Sequence, residues 1–204
     1  FVRDARGRLN GRLEEYAQYL GNRRLALETD PAEVVRIYRQ FASEASAWGI
    51  TSTQLLGDSL PTANAARRIV EANIPIRVKL FRFPMREAGA ATMDSRPILP
   101  PQPSPLVDAR GMKWILDGTP IERFGFMRAP YADAPATSGR LNLRQSRSDE
   151  FVGWAYGSED PLAVHAFGDA ASEAYVAAVE RAGRPEVWRQ KRLRIEHGDM
   201  MAPD

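Results

Sequence analysis

Along this chain the spacing of apolar residues switches repeatedly between about 3.6, the period of a helix, and 2, the period of a strand. The clearest helix opens at Asp30-Pro31-Ala32-Glu33, an N-cap followed by proline at the first helical position and glutamate at the third. Val34, Ile37, Tyr38, Phe41, Ala45 and Trp48 then recur on one face, and Gly49 supplies a stop. Residues 50–56 are apolar and β-branched enough for a strand that ends at Gly57-Asp58. A second helix starts at Pro61, buries Ala65, Ile69 and Val70, and ends at Asn73-Ile74-Pro75. Residues 76–83 alternate, with Ile76, Val78 and Leu80 on one side and Arg77, Lys79 and Phe81 on the other.

Periodicity is lost between Met85 and Arg110, where the proline-dense run 97–105 predicts a stiff loop. A strand at 111–119 follows, closed by the turn signal Asp117-Gly118, and then a long connection over 120–143. Ser146 or Ser148 caps a helix through Phe151, Val152 and Ala155 to Gly157. The strand at 161–168 leads into a helix over 170–182, capped by Asp169 and stopped by Gly183, and a last strand covers 192–197. Upstream of Asp30 the pattern is weak, and only a short helix over 13–20 is expected. Five strands alternating with helices predict an α/β fold with a mainly parallel sheet. We expect one domain over 1–204, with 84–110 as a loop inside it. A doubly wound sheet and a (β/α)8 barrel both fit, although five strands are too few for a whole barrel of about 250 residues.

Composition narrows the function classes. At 204 residues and 44% hydrophobic the chain can bury a sizeable core. The 28 basic and 26 acidic residues leave a formal charge of +2 and are spread along the chain, so no nucleic-acid partner is expected. Cys is absent, which excludes thiolate metal sites and a cysteine nucleophile and is compatible with the reducing cytoplasm, where we place the chain. No apolar run approaches the ~20 residues of a membrane span.

The candidate chemistry lies at strand ends. The chain has two histidines, His165 and His197, each at the end of an apolar run and just before a turn. In α/β folds sites are built at that end of the strands. Either histidine alone could be a hydrogen-bonded packing residue; two in the same structural position point to a site. One β-α-β unit separates them, so a right-handed crossover would set them on neighbouring strands, within reach of one metal ion. Asp169, Glu196 and Asp199 are candidate acids, bases or supporting groups, and Asp169 is equally well read as an N-cap. Lys113, between Met112 and Trp114, needs an ion pair, a route to solvent or a chemical modification. Asp117-Gly118 reads as an ordinary turn. Neither a glycine-rich phosphate loop nor a serine-hydrolase elbow is present.

Taken in order, Gly49-Ile50-Thr51-Ser52, Met112-Lys113-Trp114-Ile115-Leu116-Asp117-Gly118, Val164-His165-Ala166-Phe167-Gly168-Asp169 and Arg194-Ile195-Glu196-His197 resemble the amidohydrolase superfamily. The similarity is to its family 3 branch, which includes N-substituted formamide deformylases. Phe167 stands where that branch more often has isoleucine. The resemblance implies a metal-dependent hydrolase on a (β/α)8 TIM barrel, with one or two divalent ions, usually zinc. By the same match Lys113 would be the ligand on the fourth strand, often carboxylated, and His165 and His197 those on the fifth and sixth. Asp169 joins them as a candidate catalytic group. The cation would activate water against an amide or related non-peptide C–N bond of a small molecule. Phe124, Phe126, Met127, Arg128 and Tyr131, on the connection after Lys113, become candidate substrate contacts.

The family's opening His-x-His pair and closing aspartate are missing from the sequence. The chain therefore reads as about strands two to six of a barrel with their helices, a piece of a larger enzyme. Open barrel edges predict self-association. The competing expectations are a non-catalytic binding or assembly protein that kept the scaffold without a complete metal site, and a metal-free enzyme using His165 or His197 as a general base.

Overall fold

The computed structural model describes residues 1–56, 59–84, 100–191 and 193–202. Gly57-Asp58, Arg192 and the segment 85–99, which holds most of the expected loop and the start of its proline run, lie outside the described residues. The chain divides into two compact units, Phe1–Gly111 and Met112–Asp204. Among the described residues no helix is long and apolar enough to cross a membrane.

In the first unit, α1 (Tyr16–Glu28) and α2 (Pro31–Ala47) precede a three-stranded sheet. Its strands are β1 (Ser52–Leu56), β2 (Arg77–Phe81) and β3 (Val107–Asp108), in that order and all parallel. Helix α3 (Thr62–Ala72) makes the crossover from β1 to β2. Asp30 caps α2 as its sequence predicts, its carboxylate accepting from the Ala32 N–H at 2.9 Å. Asn73 ends α3 in the left-handed conformation, φ 49°. The core joins Ala42 and Ala45 of α2 to Ala66, Ile69 and Ala72 of α3, and these to Val78, Leu80 and Val107 of the sheet. Alanines on both helices let the backbones lie close to the strands.

Three features differ from expectation. The helix expected over 13–20 runs from Tyr16 to Glu28, tied down where Tyr16 and Tyr19 pack on the Phe83 ring. A short strand, β3, stands inside the region expected to be loop, because Val107 and Asp108 pair with Val78 and Lys79. The buried stripe of α2 carries Ala42 and Ala45 with Val35 and Tyr38 beside them, while Ile37, Phe41 and Trp48 are exposed. Two apolar stripes share that helix, and the smaller side chains are the ones that fit against α3.

In the second unit, β4 (Met112–Ile115), β5 (Leu162–Ala166) and β6 (Leu193–His197) form a parallel sheet in sequence order. Helix α4 (Gln145–Gly157) follows β4; α5 (Asp169–Ala182) and the short α6 (Pro185–Trp188) connect β5 to β6. Trp114 stacks on Phe151 of α4 with ring centroids 4.9 Å apart, so the even-numbered residues of β4 face the helices. Lys113 and Ile115 therefore face the other way. The register sets Lys113 beside Ala163 and Arg194, and Ile115 beside His165 and Glu196, all on that second face. The expectation of parallel strands holds in both units, with helices linking β1 to β2, β4 to β5 and β5 to β6.

Candidate metal centre

Both histidines stand at strand ends, and the structure brings them together. Strict alternation along β6 would put His197 on the helix side, beside Ala166, and opposite in direction to Glu196. His197 instead adopts φ 79°, in the left-handed region that a non-glycine residue enters only under constraint, and Gly198 follows at φ 65°. That break in the alternation lets the two imidazoles meet edge to face, with centroids 4.5 Å apart and planes at 67°. His165 is the sheltered member, its side chain 12% exposed, whereas His197 is open to solvent.

Behind His165 lies Asp117, whose side chain is wholly buried. The Asp117 carboxylate accepts three backbone N–H bonds: from Phe167 on Oδ1, and from Gly168 and Phe126 on Oδ2, each at 2.9 Å. The Nε2 atom of His165 lies 3.6 Å from Asp117 Oδ1 and 3.4 Å from the Gly118 carbonyl oxygen. Burial lowers the His165 pKa from its ordinary value; the Asp117 carboxylate opposes this, and His197 and Lys113 reinforce it. The ring is thus disposed to be neutral, the form that binds metal.

Lys113 is buried on the same face of the sheet as His165. Desolvation brings its amine down to about 8, partly countered by Glu196 and assisted by Arg194. Glu196 pairs with Arg194 at 2.6 Å, so its carboxylate is engaged along its own strand.

Of the other sequence candidates, Phe124, Phe126, Met127, Arg128 and Tyr131 lie on the loop of residues 118–142, and Asp169 opens α5. Asp169 does not cap α5; the cap position is Gly168, and Asp169 is the first helical residue. Its carboxylate accepts from the backbone N–H groups of Arg128 and Ala170, both at 2.8 Å, which ties the loop to the helix. The Arg128 guanidinium donates to both carboxylate oxygens of Glu173 at 3.1 Å. Phe126 is held through its N–H on Asp117, Tyr131 donates its hydroxyl to the Gly125 carbonyl at 2.8 Å, and the Phe124 ring carries the Arg140 guanidinium at 4.0 Å. Met127 bonds through its N–H to the Ser138 carbonyl at 2.7 Å. A Cβ on Gly168 would lie 1.9 Å from the Phe126 carbonyl oxygen, so only glycine permits this approach. Asp117 has no distinguishing mark in the sequence, because Asp-Gly is also an ordinary turn signal.

Among the described residues no three His, Asp or Glu side chains converge as a metal cage. The two imidazoles nevertheless have the chemistry for two ligands of a divalent ion: they are adjacent, burial favours the neutral form of His165, and a buried amine stands on the same sheet face. The amidohydrolase family model matches residues 1–204. The chain belongs to the amidohydrolase family. Two solved structures share its fold: an uncharacterized metal-dependent hydrolase from Pyrococcus horikoshii OT3 and one from Pyrococcus furiosus. The first matches at TM-score 0.65 and 19% identity over 86% of this chain, the second at 0.60 and 19% over 81%. The aligned part covers 34% and 33% of those chains, so this amidohydrolase spans about a third of their length. A search of curated protein sequences returned no match.

Proposed function

We propose that this amidohydrolase contributes to a metal-dependent hydrolase that cleaves a non-peptide C–N bond of a small amide-like molecule in the cytoplasm. In this reading its alternating strands and helices are about strands two to six of a (β/α)8 barrel. One observation carries the proposal: the approach of His165 and His197 at the C-terminal ends of neighbouring parallel strands, reached through a constrained backbone at His197. Family membership and the description of both structural neighbours as metal-dependent hydrolases support it.

His165 and His197 would hold a divalent ion, zinc being the first choice for paired imidazoles, with Lys113 supplying a third group from β4. When bound, such an ion lowers the pKa of a water and polarises a carbonyl oxygen. The chain's own part is to orient and to handle protons. Lys113, with its amine near 8, gives up a proton at Nζ close to neutral pH, which frees the nitrogen to serve as that third group. Asp169 acts through the loop, holding the Arg128 backbone and with it the Phe124–Tyr131 stretch as one wall of the substrate site. Phe124, Phe126, Met127 and Tyr131 offer that wall an apolar and aromatic surface, suited to an N-substituent, while Arg128 fixes it to Glu173.

Amine release from a panel of N-substituted formamides and N-acyl amines tests the proposal. Activity that falls on chelation and returns with zinc is expected. A zinc-loaded enzyme containing this chain that releases no amine from any of them would contradict it.

A further inference from the structure

Asp117 lies in an Asp-Gly pair at the end of a strand, where a turn residue would be exposed. Here its side chain has no exposure and gathers three N–H groups from two separate places: Phe126 on the overhanging loop, and Phe167 and Gly168 beyond β5. A carboxylate has about four lone-pair positions. Three are used by these donors, and Oδ1, which among the described residues takes only the Phe167 N–H, is the carboxylate oxygen that lies 3.6 Å from His165 Nε2. The next residue adds a second acceptor on the same side, the Gly118 carbonyl at 3.4 Å from Nε2.

The Nε2 edge of His165 therefore faces two oxygens and no donor among these contacts. A lone pair on Nε2 would be repelled by both, whereas an N–H there is attracted to both. A neutral imidazole carries a single hydrogen, so fixing it on Nε2 leaves the lone pair on Nδ1.

We propose that Asp117, together with the Gly118 carbonyl, is the positioning residue of His165: it holds the ring in the Nε2–H tautomer and so presents Nδ1 to a cation. The use made of Nδ1 rests on the proposed metal site; the tautomer does not. The same carboxylate fastens Phe126, so one buried group sets both the ligand's orientation and the root of the loop above it. Groups behind a ligating histidine contribute on the order of 10–100-fold to metal affinity.

The test is the ¹⁵N resonances of the two ring nitrogens of His165 in the metal-free chain, at alkaline pH where the imidazoles are neutral, assigned with His197→Gln. The wild type is expected to show a protonated Nε2 and a lone-pair Nδ1. In Asp117→Asn the two forms should mix, and zinc affinity should fall on the order of 10–100-fold. A wild-type ring with its hydrogen on Nδ1 overturns the proposal whether or not the Asn variant folds. So does a folded Asp117→Asn chain with unchanged tautomer and zinc affinity. If the wild type binds no zinc but shows the Nε2–H form, lost in Asp117→Asn, the positioning stands and the ligand reading fails.

Discussion

His165 and His197 touch, with ring centroids 4.5 Å apart, although the register of β5 and β6 points their side chains to opposite faces of the sheet. The φ of 79° at His197 reconciles the two. A non-glycine residue held there costs about 1–3 kcal/mol, which the fold tolerates where a site gains by it.

That cost yields a first prediction. Asn enters the left-handed region more readily than His. His197→Asn should leave the melting temperature of the metal-free chain unchanged or raised, by up to about 1 kcal/mol of stability, while removing a metal ligand. Thermal unfolding with and without zinc measures both, and a clear loss of stability in the metal-free variant would count against backbone constraint at this position.

Lys113 gives a second. Its folded pKa, near 8, lies below the ordinary 10.5, so the folded chain sheds this proton first. Below pH 8 the folded state carries the full cost of a buried ammonium; between pH 8 and 10.5 that cost is progressively relieved and stability rises. At about 1.36 kcal/mol per pKa unit the cost at neutral pH is on the order of 3 kcal/mol. Lys113→Met should therefore stabilise the metal-free chain at neutral pH and flatten its stability between pH 8 and 10.5. Denaturant unfolding over that range checks it, and a destabilised Met variant would contradict it.

Acid should act at the other unit's sheet. Partial burial alone would raise the Asp108 pKa, but hydrogen bonds from Arg110 and Lys79, with Lys79 at 2.7 Å, outweigh it and hold the carboxyl well below the usual range. This stabilisation is present above the unfolded value of 3.8 and is lost as pH falls further, through the folded value. Asp108→Asn should cost about 1–2 kcal/mol at neutral pH. The gap between variant and wild type should narrow progressively as the pH falls below 3.8, measured by unfolding at a series of pH values; a gap that stays constant as the pH falls would refute the assignment.

Gly168 controls the loop. A methyl group there would meet the Phe126 carbonyl oxygen at 1.9 Å and its carbon at 2.4 Å, both backbone atoms that cannot rotate away. Gly168→Ala should cost about 1–3 kcal/mol. The lost contact is read by hydrogen exchange, where the Phe126 amide bound to Asp117 should exchange faster than in the wild type. Unchanged protection would mean that the loop does not need this approach.

Much of this architecture is legible in the sequence, because local pattern and tertiary burial agree. The alternation at 76–83, the cap at Asp30 and the stop at Asn73 each become the expected element, and the β-α-β spacing of the two histidines correctly sets them on neighbouring strands. What escapes is decided by packing. The helix stripe of Ile37, Phe41 and Trp48 has the right period but is not the face that α3 covers. Val107 and Asp108 make too short a strand to register as a pattern, and only pairing with β2 defines it. Asp117 looks like a turn residue because the three N–H groups it accepts come from residues 9, 50 and 51 positions away. Asp169 looks like a cap, and its link to Arg128 spans 41 positions.

The central claim is that His165 and His197 form part of a metal site, and the metal content of the purified chain tests it most directly. Elemental mass spectrometry after exposure to zinc should find near-stoichiometric metal in the wild type and none in the His165→Ala, His197→Ala double variant. A wild-type chain without bound metal, or a double variant that retains as much, would contradict the account.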